Sequence, residues 1–508
     1  MKDLRSEFKQ ATKWRFISQL IYLPASFFTS VILVRYLSPV DYGNYRIVLS
    51  LSGIMIYIVS LGVQHSISRF APEFIELKNH ILVNRLVGRL SIIRFIAVTA
   101  VVIFLNVFKS QFVEFFNLPD VFLDWLWLIS IIYVLTHTAI VFGQYFHTAI
   151  LDMKTIIIHD SIKPVLFVLL LVLVATLNMG FSGVLILLLL CELFSFVFYF
   201  ASYRIHIKRY MVAYGVSFSQ ESKIDWQRVV KYSIHSALYT FGGLAVGTYV
   251  DSFVIAKFLD VSRVAFYTFG LMLVMIVHSF NPVTLFKNIM TNVLVRRYVS
   301  SADRGIFQSF FVLTSKLGLF ISLPLFLVLC ILLEKIIPIV YRQDYLYAVP
   351  AIYVFSIMLL SRNFSYGLSA VITTLELVRY FNFYYVIALY NLVASIILVQ
   401  LWGILGVAIA TSSAEVIWCF CLTYFVVKKA GIKIRIPGRQ LLVIVGNAMI
   451  VSFLVLQVRH LVNSVLALLI AIVIAGFLYL VLSTVTKPFT NEERSKINAM
   501  IGRQLWQF

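Results

Sequence analysis

Fourteen predominantly apolar runs, each close to twenty residues long, leave this chain one class of fold. They lie near 16–37, 45–63, 90–108, 121–143, 160–177, 183–203, 232–256, 264–286, 308–333, 349–373, 378–401, 403–427, 441–458 and 463–485. A helix rises 1.5 Å per residue, so about 20 residues cross the roughly 30 Å hydrocarbon layer. Every backbone polar group inside lipid must be paired within the protein, and a helix does this unaided. A barrel would instead show alternating runs of about ten residues. Charged residues make up 13% of the chain, against about 25% in soluble domains. The expectation is an all-α polytopic membrane protein of about fourteen transmembrane helices.

Orientation follows from Lys and Arg, which stay preferentially on the cytoplasmic side. With the N-terminus inside, only Arg35, Arg46, Lys109, Lys257, Arg263, Lys335, Arg342 and Arg459 fall on external segments, leaving 34 of the 42 basic residues on the cytoplasmic side. An even number of spans places both termini in the cytoplasm. The formal charge of +20 is then topology plus attraction to anionic lipid heads, and no nucleic-acid partner is expected. The leader MKDLRSEFKQATKWR is basic and amphipathic, without a cleavage pattern, so the first span is expected to stay. Cys191, Cys330, Cys419 and Cys421 all sit in apolar runs, with neither disulfide nor zinc spacing, and no metal is expected.

The chain is duplicated. At an offset of 222, Ser30 meets Ser252, Arg35 meets Lys257, Leu37 meets Leu259 and Tyr45 meets Tyr267. Further on, His137 falls opposite Arg362 and Lys154 opposite Arg379 at an offset of 225, while Glu192 falls opposite Glu415 at 223. Both copies read as an apolar run, a cation, a polar turn and a second apolar run. In the first copy Ser38-Pro39 and Asp41-Tyr42-Gly43 supply turn chemistry, with Gly43 permitting positive φ. Six spans separate the copies, and an even number keeps matched helices parallel, as in transporters with an axis along the membrane normal. The expected organisation is an N-terminal lobe at 1–207, a cytoplasmic linker at 208–231, a C-terminal lobe at 232–430, and two additional spans with a tail at 431–508. These are two parallel pseudo-symmetric six-helix lobes plus two extra C-terminal helices.

No connection exceeds about 30 residues, which excludes a folded catalytic domain of ordinary size. P-loops, dinucleotide glycine patterns, HExxH and nucleophile elbows are absent from the sequence. The chain reads as a non-enzyme.

Functional residues are then sought among ionisable groups deep in spans, which cost roughly 2.5–3.5 kcal/mol to insert and face a cavity, a pathway or a partner. Arg362 lies thirteen residues past Val349, about 20 Å along its helix. It is either a cavity cation for an anionic head group or a tether to a Glu or to carbonyls. His137, its counterpart, either shares that role when protonated or packs. Glu192 and Glu415 are sites for a coupling proton or sodium ion, counter-charges, or structural partners. Asp251 lies near an external helix end, where a solvated interfacial role competes with ion coupling. Arg35 and Lys257 are matched external cations that snorkel or ring an exit. Arg69, Lys154 and Arg379 are inner-end cations, with Lys78, Arg85, Arg89 and Arg94 near the first of them, and topology alone accounts for such residues. Gly243 and Gly247 form a GxxxG that packs or bends, and Pro24, Pro282 and Pro324 are expected to interrupt spans.

The stretch from Arg35 to Phe74 resembles the opening hairpin of bacterial polysaccharide flippases in the multidrug/oligosaccharidyl-lipid/polysaccharide exporter superfamily. It carries Leu37, Pro39, Asp41, Tyr42, Gly43 and Tyr45 of the L-x-P-x-(D/E)-(Y/F)-G-x-(Y/F) turn, followed by Leu61-Gly62. Gly403 and Gly406 at the opening of span 12 also fit. The resemblance implies two six-helix bundles around a cationic cavity, with two more helices associated with the lipid tail. It implies a polyprenyl-pyrophosphate-linked oligosaccharide as substrate, flipped outward across the bacterial inner membrane for O-antigen, capsule or exopolysaccharide assembly. Membrane lipids and polymerase or ligase machinery are the implied partners, with no cofactor beyond a coupling proton or sodium ion. Gln19 and Pro24 do not supply the acidic and basic pattern of the lipid II branch. The competing readings are a drug/cation antiporter of the same superfamily and an integral-membrane polymerase or glycosyltransferase. A deep arginine counts against the former, and the absence of a large external loop against the latter.

Overall fold

A computed structural model describes residues 2–76, 79–150, 152–214, 224–241, 248–301, 303–375, 377–501 and 507–508. Among these residues eleven helices are long and apolar enough to cross a membrane, or twelve when the pair Pro39–Ile58 and Val63–Ala71, bent by 55°, counts as one span. The stretch Arg379–Lys429 counts once in that total, yet it holds two helices meeting at Trp402 (φ −130°, ψ 15°) and Gly403 (φ 57°, ψ −137°). The expected span at 232–256 falls partly outside the described residues, as do Gly243, Gly247 and residues 215–223 of the expected linker. The chain divides into two units, Met1–Ala265 and Phe266–Phe508.

The first unit holds α1 (Lys2–Tyr36), α2 (Pro39–Ile58), α3 (Val63–Glu76), α4 (His80–Val107), α5 (Lys109–Phe115), α6 (Val121–Ile140), α7 (Phe146–Ala149), α8 (Met153–Thr176), α9 (Gly180–Tyr214), α10 (Trp226–Phe241) and α11 (Thr248–Phe258). A five-residue π turn, Val141–Tyr145, joins α6 to α7. α1 packs on α8, α6 on α9, and α2 on α11.

The duplicated hairpin is built by equivalent caps. Ser38 is extended (φ −61°, ψ 158°), and its hydroxyl accepts from Asp41 N–H at 3.0 Å, with Pro39 opening the first turn of α2. The matching positions act in the second copy, where the Asp260 carboxylate accepts from Arg263 N–H at 2.9 Å. Both pairs sit at the offset of 222 (260 − 38 and 263 − 41). Such caps satisfy a helix-start N–H that has no partner within the helix.

Gly43 does not serve the turn. It lies inside α2 without a positive φ, and a Cβ there would meet the Val261 carbonyl oxygen at 2.1 Å. Its small size permits backbone contact rather than a left-handed conformation. The break after α2 is instead made by Leu61 (φ 44°) and Gly62 (φ 68°). There too a Cβ would meet a carbonyl oxygen, that of Ser233 on α10, at 2.0 Å. Hydroxyl pairs run along the same packing, Ser50 to Ser252 at 2.9 Å and Ser66 to Ser233 at 2.6 Å.

α12 (Val261–His278) begins in the first unit and ends in the second. The second unit continues with α13 (Pro282–Ser301), α14 (Gly305–Val340), α15 (Val349–Thr374), α16 (Tyr384–Tyr424), α17 (Gly438–Val458), α18 (Val465–Thr486) and α19 (Asn491–Ile501). α15 packs on α14 and α16, and α17 on α14 and α18. Pro282 starts α13, where its missing N–H costs nothing, whereas Pro24 and Pro324 lie inside the continuous helices α1 and α14.

Candidate functional site

In the second unit Arg362 lies on α15, thirteen residues past Val349, about 20 Å from that helix end. Its guanidinium donates through one terminal nitrogen to the Glu415 carboxylate on α16. The side chains are 26% and 10% exposed. Arginine has five N–H donors, and this is the one hydrogen bond it makes to protein among the described residues. A polar seam runs beside the pair. Tyr366, one turn along α15, shares a 3.2 Å hydrogen bond with His278 Nε2 and carries the Lys287 ammonium 5.1 Å from its ring centre. Thr284 reaches the same imidazole nitrogen at 3.2 Å. Asn281 donates to Asn363 Oδ1 at 2.6 Å, and Asn363 donates to Ser322 at 2.9 Å. Lys287 lies within electrostatic range of both Arg362 and Glu415. The local charge is two cations against one carboxylate, so the seam favours an anion.

The first unit has a deep cation of its own. Arg94 on α4 stands thirteen residues inside the apolar stretch that starts at Ile81, again about 20 Å along, and is 1% exposed. It donates to the Tyr145 hydroxyl at 3.1 Å and faces His137 Nδ1 at 3.4 Å, with its charge 5.2 Å from the Tyr145 ring centre. Guanidinium nitrogens only donate, so His137 Nδ1 accepts and the ring proton sits on Nε2. His137, fully buried, is therefore neutral here, and the positive charge at this depth belongs to Arg94. No carboxylate lies within ion-pair distance of Arg94 among the described residues, and its Nε has no partner there. Lys316 of α14 occupies the matching position at an offset of 222 (316 − 94), is fully buried, and pairs with Glu493 at 2.6 Å. In the sequence Arg94 groups with the inner-end cations. The signal that separates them is distance along the helix.

The two matched glutamates each hold a cation: Glu192 with Lys163 of α8 at 2.8 Å, and Glu415 with Arg362. Asp251 is not solvated, being 1% exposed and engaged within the packing around α11. Of the remaining cations Arg69 stands midway along α3, and the others stand at or near helix ends. Arg35 closes α1 and is exposed. Lys257, in the last turn of α11, lies 4.7 Å from the Phe115 ring centre. Arg69 pairs with Glu73 at 2.9 Å, and Arg228 reaches the same carboxylate at 3.0 Å. The Arg228 guanidinium, more than any other group, holds the Glu73 carboxyl below its ordinary range. Lys154 is exposed in the first turn of α8, and Arg379 leans over the adjacent Tyr380 ring at 5.1 Å. Within the first unit a side crevice of about 380 Å³ opens between α2, α4 and α10, lined by apolar side chains including Tyr57, Leu61, Leu90, Ile93 and Val230. Trp226 forms part of its wall, and Arg89 covers that ring at 4.8 Å.

Residues 8–286 match the profile of the polysaccharide biosynthesis protein family. No curated protein matches the chain. Among solved structures, the lipid II flippase MurJ in an inward closed conformation aligns over 93% of this chain and 98% of its own, at a TM-score of 0.68 and 17% identity. An inward-facing multidrug resistance MATE family transporter of the MOP superfamily aligns over 83% of this chain and 98% of its own, at 0.61 and 13%. At these identities the likeness shows the fold alone: that of a multi-pass helical membrane protein.

Proposed function

Because the chain belongs to the polysaccharide biosynthesis protein family, we propose that it flips a polyprenyl-pyrophosphate-linked oligosaccharide from the cytoplasmic to the outer leaflet for assembly of a surface polysaccharide. It works by alternating access in the bacterial inner membrane, with both termini in the cytoplasm, and hands its cargo to polymerase or ligase machinery. The observation that carries this reading is Arg362: a guanidinium about 20 Å down its helix, held by one carboxylate contact and 26% exposed.

A pyrophosphate-linked glycan cannot cross hydrocarbon without a partner for its charge. Arg362 and Lys287 supply positive charge, and the unused N–H donors of Arg362 suit phosphate oxygens, which a guanidinium binds in bidentate fashion. Glu415 holds the guanidinium in place before substrate arrives and competes for it afterwards, so the anion is released rather than trapped. Protonation of Glu415 or Glu192, which releases the paired Arg362 or Lys163, is the coupling step. The apolar crevice beside α10 suits the polyprenyl chain, which stays at the lipid boundary while the head group moves through the protein. Outward movement of two negative charges under an inside-negative potential of 100 mV releases about 4.6 kcal/mol, at about 2.3 per charge.

A drug/cation antiporter needs an acidic residue free to hold a cation. Both matched glutamates are already neutralised by Lys163 and Arg362, which favours the anion reading. The test is flipping of a fluorescent lipid-linked oligosaccharide in proteoliposomes. Arg362→Ala removes charged hydrogen bonds worth about 1.5–3 kcal/mol, a loss of about ten- to a hundredfold, while Arg362→Lys retains part of the activity. Undiminished flipping by Arg362→Ala at equal protein content would remove the assignment.

A further inference from the structure

At one end of the first unit three successive spans bring their ends together. His147 lies on α7, Asp152 caps α8, and His206 lies near the end of α9. His147 Nδ1 stands 3.0 Å from Asp152 Oδ2, and His206 Nε2 stands 3.1 Å from the same oxygen. The three potential ligand atoms all lie within 4.8 Å of one another.

The protons in this cluster do not balance for neutral rings. His206 Nδ1 is 3.0 Å from the Ser202 carbonyl oxygen, which only accepts, so Nδ1 carries the proton. In a neutral imidazole Nε2 is then a lone pair, and it points at a carboxylate oxygen 3.1 Å away. Two lone pairs at that distance repel unless positive charge lies between them. The carboxylate is itself held in place, since the Thr155 hydroxyl donates to Oδ2 at 2.6 Å and Thr155 N–H donates to Oδ1 at 3.3 Å. A ring N–H anchored on a backbone carbonyl, leaving the opposite nitrogen for the ion, is the support that metal-binding histidines use.

We infer that His147 Nδ1, His206 Nε2 and an Asp152 carboxylate oxygen bind a divalent transition-metal ion. Two imidazoles and one carboxylate suit zinc, with bonds of about 2.0–2.2 Å and a fourth position for water. Tetrahedral bonds of that length set ligand atoms about 3.3 Å apart, close to the two separations found. The ion ties the ends of the fourth, fifth and sixth spans together, as a clamp separate from the deep cations.

The test uses the full-length protein in lipid nanodiscs, with any affinity tag removed, after chelation and re-equilibration with zinc or with cobalt as a visible-absorbing probe. One zinc per chain by mass spectrometry, ligand-field bands with cobalt, and a zinc-dependent rise in melting temperature are expected. Asp152→Asn keeps the helix cap and removes the anionic ligand, and His206→Gln removes one imidazole. Each is expected to weaken zinc binding by at least about tenfold and to abolish the zinc-dependent rise, with the melting temperature in chelator close to the parent's. Equal zinc content and equal stabilisation in parent and variants overturn the proposal.

Discussion

Glu493→Gln separates two roles that one carboxylate plays at the end of the chain. Glu493 and Thr490 cap α19 reciprocally: Thr490 N–H donates to the Glu493 carboxylate at 2.8 Å, and Glu493 N–H donates to the Thr490 hydroxyl at 3.3 Å. Glutamine preserves such a box. The same carboxylate also receives the Lys316 ammonium of α14 at 2.6 Å, and Lys316 is fully buried. The ammonium lies 4.9 Å from the Phe489 ring centre, and Phe489 packs on Phe320 at 5.3 Å. Breaking one side of a buried pair costs about 3–5 kcal/mol. The lysine escapes by losing its proton, which at pH 7 costs about 4.6 kcal/mol from a reference pKa of about 10.4. With an amide oxygen still available to the ammonium, about 3 kcal/mol is expected, or roughly a hundredfold. The assay is hydrogen exchange of the α19 amides in detergent or nanodiscs: Glu493→Gln lowers their protection about a hundredfold, and Lys316→Met with Glu493→Gln restores most of it. If the double variant exchanges as fast as the single one, the charge was not what held the tail, and the reasoning fails.

Arg94→Met removes a buried cation that has no carboxylate in ion-pair range, so the unfolding free energy is expected to stay within about 1.5 kcal/mol of the parent's or to rise, while flipping falls; a large loss of stability would mark Arg94 as a structural tether instead. Gly403→Ala places a side chain at φ 57°, ψ −137°, a region nearly reserved for glycine, and is expected to cost about 1–3 kcal/mol, read as a lower melting temperature on size-exclusion fluorescence. In proteoliposomes an inside-negative potential set by potassium and valinomycin is expected to speed outward flipping, since about 4.6 kcal/mol per 100 mV acts on two charges; a rate indifferent to potential means that a cation accompanies the substrate.

Helical class and duplication were legible in the sequence because both rest on patterns along one dimension: apolar run length, and residues recurring at fixed offsets. Two of the matched positions, Ser38 and Asp260, carry the same kind of helix cap. Arg362 was legible as a deep cation by counting residues from Val349, and Glu415 was among its candidate partners. Arg94 was not separated from its neighbours, because Arg85 and Arg89 precede it and together they look like one basic helix end. Gly43 was misread because a turn motif and a close backbone approach both call for glycine, and only coordinates show the Val261 carbonyl facing it. His147, Asp152 and His206 had no local signature: the two histidines lie 59 positions apart (206 − 147), and only the meeting of three helix ends makes them neighbours.

The caps at Ser38 and Asp260 have a consequence for biogenesis. Each is closed by a residue three positions downstream, so the bend forms from chain already synthesised and waits for no distant partner. The second arm of each hairpin thus starts its helix at a set residue while the ribosome is still extending it. Register along the membrane normal is thus set locally in each hairpin.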